Sequence, residues 1–222
     1  HGTSHRYVSQ RVCKILGLDV NNSRIITCHI GNGASVAAVL NGKVIDTSMG
    51  LTPLAGLMMG SRCGDIDASA VTYLMDKLGK KPQEMADYLN KQSGVLGITG
   101  ISSDMRDVEN AAQEGNKRAK LALEMYDYRI KKYIGAYAAA LGVVDAIVFT
   151  AGVGENQTGT REQACAGLEF LGIKIDKAKN ATIHGEEAII STPDSKVKVV
   201  VVPTDEEIVI ARDTKELVEK VK

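Results

Sequence analysis

The sequence predicts an α/β fold in which a mixed β-sheet begins with an antiparallel three-stranded meander and has helices on both faces. Two observations support this fold class. Near the start of the chain, three short runs rich in β-branched residues are joined by tight turns rather than by helices. In the last third, strand, helix, strand and helix follow one another, which is typical of a sheet covered by helices.

The first helix is predicted between His1 and Gly17, because apolar residues recur there at helical spacing. Thr3 and Ser4 are expected to cap its start, and Gly17 is expected to end it. The chain lacks an initiator Met and opens directly in this helix. We therefore expect it to be a piece of a longer protein.

The meander is predicted from Arg24–His29, Ala34–Leu40 and Val44–Thr47. The first two strands are joined by Gly31-Asn32-Gly33. The second and third are joined by Asn41-Gly42, the strongest short hairpin signal, since a type I′ turn needs positive φ at both central residues. A dinucleotide-binding glycine loop would have to lead into a helix, so this arrangement excludes that motif.

The remaining elements follow from periodicity and from capping residues. Thr160 with Gln163, and Thr204 with Glu207, have the spacing of helix-capping pairs. No repeat, linker or charge run divides the chain, so residues 1–222 are predicted to form one domain. The elements expected are helices at Asp67–Leu78, Pro82–Lys91, Asp104–Glu114 and Lys117–Leu141, strands at Ala146–Thr150 and Lys196–Val202, and a final helix to Lys220.

Composition excludes several classes of protein. Lys plus Arg and Asp plus Glu are both 27, so there is no basic excess for nucleic-acid binding. The longest apolar stretch, Ala136–Phe149, is too short to cross a bilayer, and no signal peptide is recognisable. The four cysteines form no C-x-x-C pair and are typical of reduced thiols. We expect a cytoplasmic protein that binds neither nucleic acid nor membrane.

Two glycine-rich turns are candidate phosphate-binding sites. Gly31-Asn32-Gly33 would let backbone N–H groups converge on an anion, although a simple tight turn explains it as well. Gly152–Asn156 follows a buried strand, where α/β sheets place ligands, but an ordinary strand-to-helix turn is equally compatible. Neither completes G-x-G-x-x-G, because Val36 and Gln157 stand at the third glycine position.

Three charged positions are further candidates. Arg62 lies in a loop bracketed by Gly60 and Gly64, which suits an arginine that clamps phosphate, while a solvated surface charge is the alternative. Asp104, beside Arg106, is favoured as a plain helix cap. Glu206 lies in the first turn of the last helix and could instead hold Mg²⁺, usually through water.

Taken together, seven segments in this order make the chain similar to the acetate kinase family, from His1 to about Thr214. The resemblance implies an actin/hexokinase/Hsp70-like ATPase fold with two ribonuclease-H-like lobes around a nucleotide cleft. It implies that residues 1–222 are the C-terminal lobe, that the N-terminal lobe is absent, and that the chain alone is folded but inactive. The segments are His1–Val8, His29–Gly33, Ser48–Pro53, the Arg62 loop, Ser103–Arg106, Gly152–Asn156 and Pro203–Glu207.

The resemblance also implies direct in-line transfer from ATP to acetate, giving ADP and acetyl phosphate, by a homodimer that uses Mg²⁺ or Mn²⁺. His1 and Arg62 would stabilise the transition state, Pro53 would line the acetate pocket, and Glu206 would hold the metal. The residues expected to bind ATP are His29, Ile30, Gly31, Asn32 and Gly33 at the phosphates, and Asp104, Met105, Arg106, Gly152, Val153, Gly154, Glu155 and Asn156 at the adenosine side.

Two other functions stay open at this point. A propionate or butyrate kinase of the same fold would differ mainly in the acyl pocket, of which this chain supplies only Pro53. A non-catalytic, Hsp70-like nucleotide-binding module would explain the glycine turns. It would not explain Arg62 beside the acyl-pocket segment, nor the presence of His1.

Overall fold

The computed structural model describes residues 1–221, which form one six-stranded mixed sheet with helices on both faces. The strands are β1 (Arg24–Ile30), β2 (Ala34–Leu40), β3 (Lys43–Thr47), β4 (Ala146–Thr150), β5 (Ala188–Ile189) and β6 (Lys198–Val201). The helices are α1 (Gly2–Leu16), α2 (Ala68–Leu78), α3 (Pro82–Lys91), α4 (Gly94–Thr99), α5 (Met105–Gln113), α6 (Lys117–Leu141), α7 (Ala151–Asn156), α8 (Thr158–Cys165), α9 (Lys177–Asn180) and α10 (Glu206–Val221).

The strand order is β3-β2-β1-β4-β6-β5. β1 pairs antiparallel with β2, and β2 with β3, which is the predicted meander. β4 runs parallel to β1 and β6 runs parallel to β4, whereas the short β5 is antiparallel to β6. The predicted α/β fold class, a mixed sheet that begins with an antiparallel meander and has helices on both faces, is confirmed. The carboxyl ends of β1 and β4 therefore meet at one edge of the sheet.

The β2–β3 turn has the predicted type I′ geometry. Asn41 has a φ of 51° and Gly42 a φ of 76°, and Leu40 pairs with Lys43 across the turn. The Asn41 carboxamide also accepts a hydrogen bond from the Ser23 N–H at 3.2 Å. The turn is thus fixed both by its own backbone and by the segment that leads into β1.

Alternate residues of the central strands face two separate cores, as strand geometry requires. On one face, Ile25 of β1 and Val148 of β4 pack against Val8 and Val12 of α1. On the other face lies the larger core, which includes α6. The predicted stripe of α6 is buried at Tyr126, Ile130, Ile134, Tyr137 and Leu141, while Leu123 is partly buried against the same core.

Three predicted helix caps are wrong. Helix α1 begins at Gly2, so Thr3 and Ser4 lie inside it, and its N-cap, His1, makes no side-chain capping bond. Helix α8 begins at Thr158, ahead of the predicted cap Thr160. At α10, Asp205 rather than Thr204 accepts from the N–H three residues on. In the first and third cases the hydroxyl binds tertiary partners, since Ser4 and Thr204 bond to each other.

The other predicted helix and strand boundaries agree within two residues. Helices α4 and α9 and strand β5 are too short to show a periodic pattern, and they were not predicted. Helix α7 begins directly at Ala151, so Gly152–Asn156 lies within a helix rather than in a loop that precedes one. Among the described residues, no helix is both long and apolar enough to span a bilayer.

Candidate active site

A cavity of about 580 Å³ lies at the sheet edge where β1 and β4 end. Three segments that are far apart in sequence line it: the β1–β2 turn, the start of α5, and helix α7. These are three of the segments that sequence analysis selected. The lining residues are Gly31, Asn32, Ser103, Asp104, Met105, Arg106, Gly152, Val153, Asn156 and Gln157.

The tip of the β1–β2 turn brings His1 and Arg62 together. A Cβ placed on Gly33 would lie 3.3 Å from His1 Nε2 and 3.4 Å from Arg62 Nη1. Gly33 does not have a positive φ, so the turn itself does not require glycine here. Glycine is favoured instead because two side chains, those of His1 and Arg62, approach the backbone closely at this point. An imidazole and a guanidinium therefore converge on the end of a glycine turn.

The loop that carries Arg62 is fastened to the same turn. The Gly60 N–H donates to the Asn32 carbonyl at 3.3 Å, and a Cβ on Gly60 would lie only 2.3 Å from Asn32 Oδ1. Arg62 Nη1 contacts the Pro53 carbonyl at 3.3 Å and the Met59 sulfur at 3.7 Å. The guanidinium is half-buried and makes no carboxylate ion pair among the described residues. Its charge is available to an anion at the turn.

Asp104 has two functions at the cavity wall. It is the N-cap of α5, as predicted, and accepts from the Arg106 N–H at 2.9 Å. It also forms a two-bond pair with the Arg106 guanidinium, at 3.0 and 2.5 Å. These hydrogen bonds from Arg106 lower the pKa of Asp104 to about 2, so the carboxylate is ionised at neutral pH. Because the pair is exposed, its value for stability is small.

Helix α7 is held in place by Glu155. The Glu155 carboxylate accepts from the Ala151 N–H at 2.7 Å and from the Thr204 N–H at 3.2 Å. Ala151 has a φ of 66°, a conformation costly for a residue with a Cβ, and the bond from Glu155 offsets that cost. Glu155 was predicted to contact ATP; in the structure its carboxylate joins the α7 and α10 segments.

Arg161 of α8, which sequence analysis did not select, lies behind α7 and is completely buried. Its guanidinium donates to the carbonyls of Gly154, Glu155 and Ile183, and to both side-chain and backbone oxygens of Asn180. Burial lowers its pKa to about 10, which leaves it charged at neutral pH. These bonds satisfy carbonyls at the end of α7 and so fix the helix that lines the cavity.

Two predicted ATP-binding residues lie behind the cavity wall. Ile30 is fully buried in the larger core, and His29 points towards α1, where its Nδ1 is 2.8 Å from Ser4 Oγ. Burial lowers the pKa of His29 to about 4, so the ring is neutral. The His29 ring lies 4.1 Å from the His1 ring, measured between centroids. His29 thus supports the floor of the site.

Glu206 is half-buried in the first turn of α10, two residues after Thr204, whose hydroxyl donates to Ser4. Within residues 1–221 no group of three or more His, Cys, Asp or Glu side chains could hold a metal ion. A single carboxylate nevertheless fits Mg²⁺, which binds through one or two carboxylates, with water and substrate phosphates as the other ligands. The donor set suits a metal carried in with a nucleotide.

Sequence analysis missed the polar layer beneath His1. His5 on α1, Thr27 on β1 and Ser35 on β2 are all nearly completely buried and form hydrogen bonds with one another. The available signal was the spacing of His1, Ser4 and His5, which places polar groups on the helical face that continues with Val8. A buried polar face under one turn of a helix is unusual and indicates that these groups have partners.

Comparison with known proteins decides the family, because residues 1–212 of the 222 match the Acetokinase family. The chain belongs to the Acetokinase family. It is 66% identical over 223 residues to the acetate kinase of Thermotoga maritima, covering 100% of this chain and 55% of that protein. It is 64% identical to the acetate kinase of Bacteroides thetaiotaomicron, covering 99% of this chain and 55% of that protein.

Solved structures agree with this Acetokinase assignment. The crystal structure of Porphyromonas gingivalis acetate kinase matches with a TM-score of 0.97 at 58% identity, covering 98% of this chain and 55% of that one. A propionate kinase from Francisella tularensis matches with a TM-score of 0.88 at 45% identity, covering 96% and 53%. This chain therefore spans about half the length of the Acetokinase relatives it matches.

Proposed function

We propose that the chain is the C-terminal nucleotide-binding lobe of a two-lobe kinase that transfers a phosphoryl group from ATP to acetate. The observation that carries the proposal is the convergence of His1 Nε2 and Arg62 Nη1 on Gly33, beside a cavity lined by the other glycine segments. Membership of the Acetokinase family gives the reaction class. The remaining half of a family-length protein would supply the second wall of the cleft.

The chemistry of the acceptor explains which groups the site needs. Acetate resembles a Glu side chain, whose pKa is about 4.3, so it is ionised at neutral pH and needs no general base. The difficulty is that two anions must meet in line while charge develops on the transferred phosphoryl oxygens. Arg62 and His1 would donate to those oxygens, and Pro53, which contacts Arg62, would line the acetate pocket.

The other residues would hold the nucleotide. The turn at Gly31–Gly33 would receive the phosphates through the backbone N–H groups of Asn32 and Gly33, since that of Gly31 already donates to the Gly33 carbonyl at 3.1 Å. Asp104–Arg106 and Gly152–Asn156 would contact the adenosine side. Glu206 would hold Mg²⁺ or Mn²⁺ through water. The metal, when bound, would neutralise part of the negative charge on the phosphates. A homodimer in the cytoplasm, with no nucleic-acid or membrane partner, completes the proposal.

The test is acyl phosphate formation by the family-length protein that contains this chain. We expect ATP-dependent conversion of acetate to acetyl phosphate, trapped with hydroxylamine, and no such activity from residues 1–222 alone, although that chain stays folded. Failure of the longer protein to phosphorylate any short carboxylic acid would reject the kinase. Substantial turnover by the isolated chain would reject the requirement for a second lobe.

A propionate kinase is the second candidate, because a structural match at 45% identity is to a protein of that description. Steady-state kcat/KM for acetate, propionate and butyrate separates the two, since one extra methylene in a pocket changes discrimination by about 10–200-fold. A third candidate, a nucleotide-binding module without catalysis, predicts that acetate has no effect on ATP titrations. We expect acetate to change the affinity for ATP that these titrations measure.

A further inference from the structure

A line of four hydrogen-bonded side chains runs from the sheet to the candidate active site. Thr27 Oγ1 lies 2.7 Å from His5 Nδ1, His5 Nε2 lies 2.7 Å from Ser35 Oγ, and Ser35 Oγ lies 2.7 Å from His1 Nδ1. Thr27, His5 and Ser35 are 0%, 3% and 1% exposed. Only the last member, His1, reaches solvent, and its other nitrogen faces Gly33 and Arg62.

The proton on each member can be assigned by counting donors. Ser35 has one hydroxyl proton and lies between two imidazole nitrogens, so it donates to one ring and accepts an N–H from the other. Burial lowers the pKa of His5 to about 4, so at neutral pH this ring has a single N–H. Whether the hydrogen bonds of this line are all donated towards His1 or all donated away from it therefore depends on which nitrogen of His5 carries that proton.

Thr27 decides the direction. Its hydroxyl proton has two acceptors, His5 Nδ1 at 2.7 Å and the Ala37 carbonyl at 3.5 Å. If His5 Nδ1 carried the proton and donated it to Thr27, the buried Thr27 hydroxyl would be left to donate only over the weak 3.5 Å contact, so Thr27 donates to His5 Nδ1 instead. His5 then carries its N–H on Nε2 and donates to Ser35. The Ser35 hydroxyl donates in turn to His1 Nδ1.

We propose that Thr27, His5 and Ser35 are positioning residues that hold neutral His1 with its proton on Nε2, directed at the site occupied by the transferred phosphoryl group. His1 can then donate a hydrogen bond to an anionic oxygen without first becoming a cation. The opposite direction would leave a bare lone pair on Nε2 beside that oxygen. This proposal rests on the proposed function for the identity of the anion, but not for the proton assignment.

We call the four hydrogen-bonded side chains of Thr27, His5, Ser35 and His1 the relay. The packing around the relay supports a role beyond stability. Further along α1, the same helical face carries Val8 and Val12 against Ile25, so apolar packing is available to this helix and sheet. A polar line in place of such packing requires every buried donor and acceptor to be paired, because an unpaired buried polar group destabilises the fold. In metalloproteins, the residues that hydrogen-bond to a metal-bound histidine also fix its ring tautomer, and their mutation lowers metal affinity or activity about 10–100-fold.

The direct test is ¹⁵N NMR of the family-length protein labelled at histidine, with His1 assigned by its loss in His1→Gln. The spectra are recorded at pH ~8, well above the pKa of about 6.5 of an ordinary histidine. We expect a protonated signal from Nε2 and an unprotonated signal from Nδ1. Protonation of Nδ1, or averaged signals from two tautomers, would overturn the proposal. The spectrum needs no activity, so it is informative even if no acid is phosphorylated.

Variants extend the test to catalysis. Ser35→Ala should give averaged His1 signals and lower kcat about 10–100-fold with little change in the KM for ATP. Ser35→Thr, which keeps the hydroxyl, should restore both the signals and much of the rate. Ser9→Ala is the matched control, because Ser9 is a buried serine of α1 that donates only to the Arg6 carbonyl. Unchanged His1 signals in Ser35→Ala would reject the relay, and if that variant does not fold the wild-type spectrum decides alone.

Discussion

The two turns of the meander use glycine for different reasons. In the β2–β3 turn, Gly42 has a φ of 76°, which the type I′ geometry demands. In the β1–β2 turn, Gly33 has no positive φ, and glycine is favoured because the His1 and Arg62 side chains approach its backbone closely. The backbone conformation of its turn explains Gly42, whereas the side chains of the candidate site explain Gly33. A glycine-rich turn is therefore informative about function only when its conformation does not already explain the glycine.

The largest expected effect is at Arg62. In the family-length enzyme, Arg62→Ala should lower kcat by about 10³-fold with a modest change in ATP affinity, because an arginine that stabilises a transferred phosphoryl group acts mainly in the transition state. Steady-state kinetics with ATP and acetate measure this. Arg11→Ala is the control, since Arg11 is an exposed arginine paired with Glu187. A kcat near the normal value would remove Arg62 from the mechanism.

Gly33→Ala tests the β1–β2 turn, where glycine is explained by the candidate site. The added Cβ would lie within 3.4 Å of both His1 Nε2 and Arg62 Nη1, so these groups must shift by a few tenths of an ångström. We expect kcat to fall about 10- to 100-fold, because small misplacements of catalytic groups are costly. The midpoint of urea unfolding should stay almost unchanged. A large loss of stability with normal kcat would show that the conformation of the turn requires glycine at position 33.

Asp127 of α6 offers a test of stability at a residue outside both turns. Among the described residues its Oδ1 has no hydrogen-bond partner, and burial raises its pKa to about 7. An ionised Asp127 therefore opposes folding. Because the unfolded pKa is about 3.9, this penalty is absent below about pH 4, grows as the pH rises to about 7 and is constant above that.

Asp127→Asn should consequently stabilise the chain by about 2 kcal/mol above pH 7 and by nothing near pH 4, after allowance for partial hydration. Urea unfolding at several pH values measures the difference. Asp76→Asn, at an exposed acid of α2, is the control. If the gain did not depend on pH, burial of the charge would not be its cause. Normal kcat in Asp127→Asn would separate stability from the site.

Gly42→Ala has the smallest expected effect and completes the comparison. Alanine is strained at positive φ, and its Cβ would lie 2.8 Å from Val20 Cγ1. We expect a loss of about 1 kcal/mol in the free energy of unfolding, with kcat unchanged in the family-length enzyme. A fall in kcat as large as that of Gly33→Ala would end the distinction between the two turns.

Much of the fold was predictable because it depends on local rules. The meander follows from β-branched runs and Asn41-Gly42, and α6 follows from its apolar stripe. The cap predicted at Thr204 was wrong because a hydroxyl that suits a local cap can instead bind a tertiary partner, as Thr204 does with Ser4. Capping spacing alone does not reveal that competition.

Two of the three segments that line the cavity were also predictable, since glycine turns at strand ends mark where a sheet leaves space. The third, at the start of α5, was favoured as a plain helix cap and was selected only through the family resemblance. The functions of Glu155 and Arg161 were not predictable, because each depends on a partner distant in sequence: Thr204 for Glu155, and Asn180 and Ile183 for Arg161. The buried line under His1 was missed for the same reason. His5, Thr27 and Ser35 come from three elements and meet only in the folded chain.

Helix α1 divides along its length, with polar groups in its first turns and the valines Val8 and Val12 beyond them. Substitutions in the two halves should therefore meet different kinds of natural selection, the first half for reactivity and the second for a stably folded chain. Variation in one half should then need no compensation in the other. A single helix would thus combine a segment under selection for chemistry with one under selection for architecture.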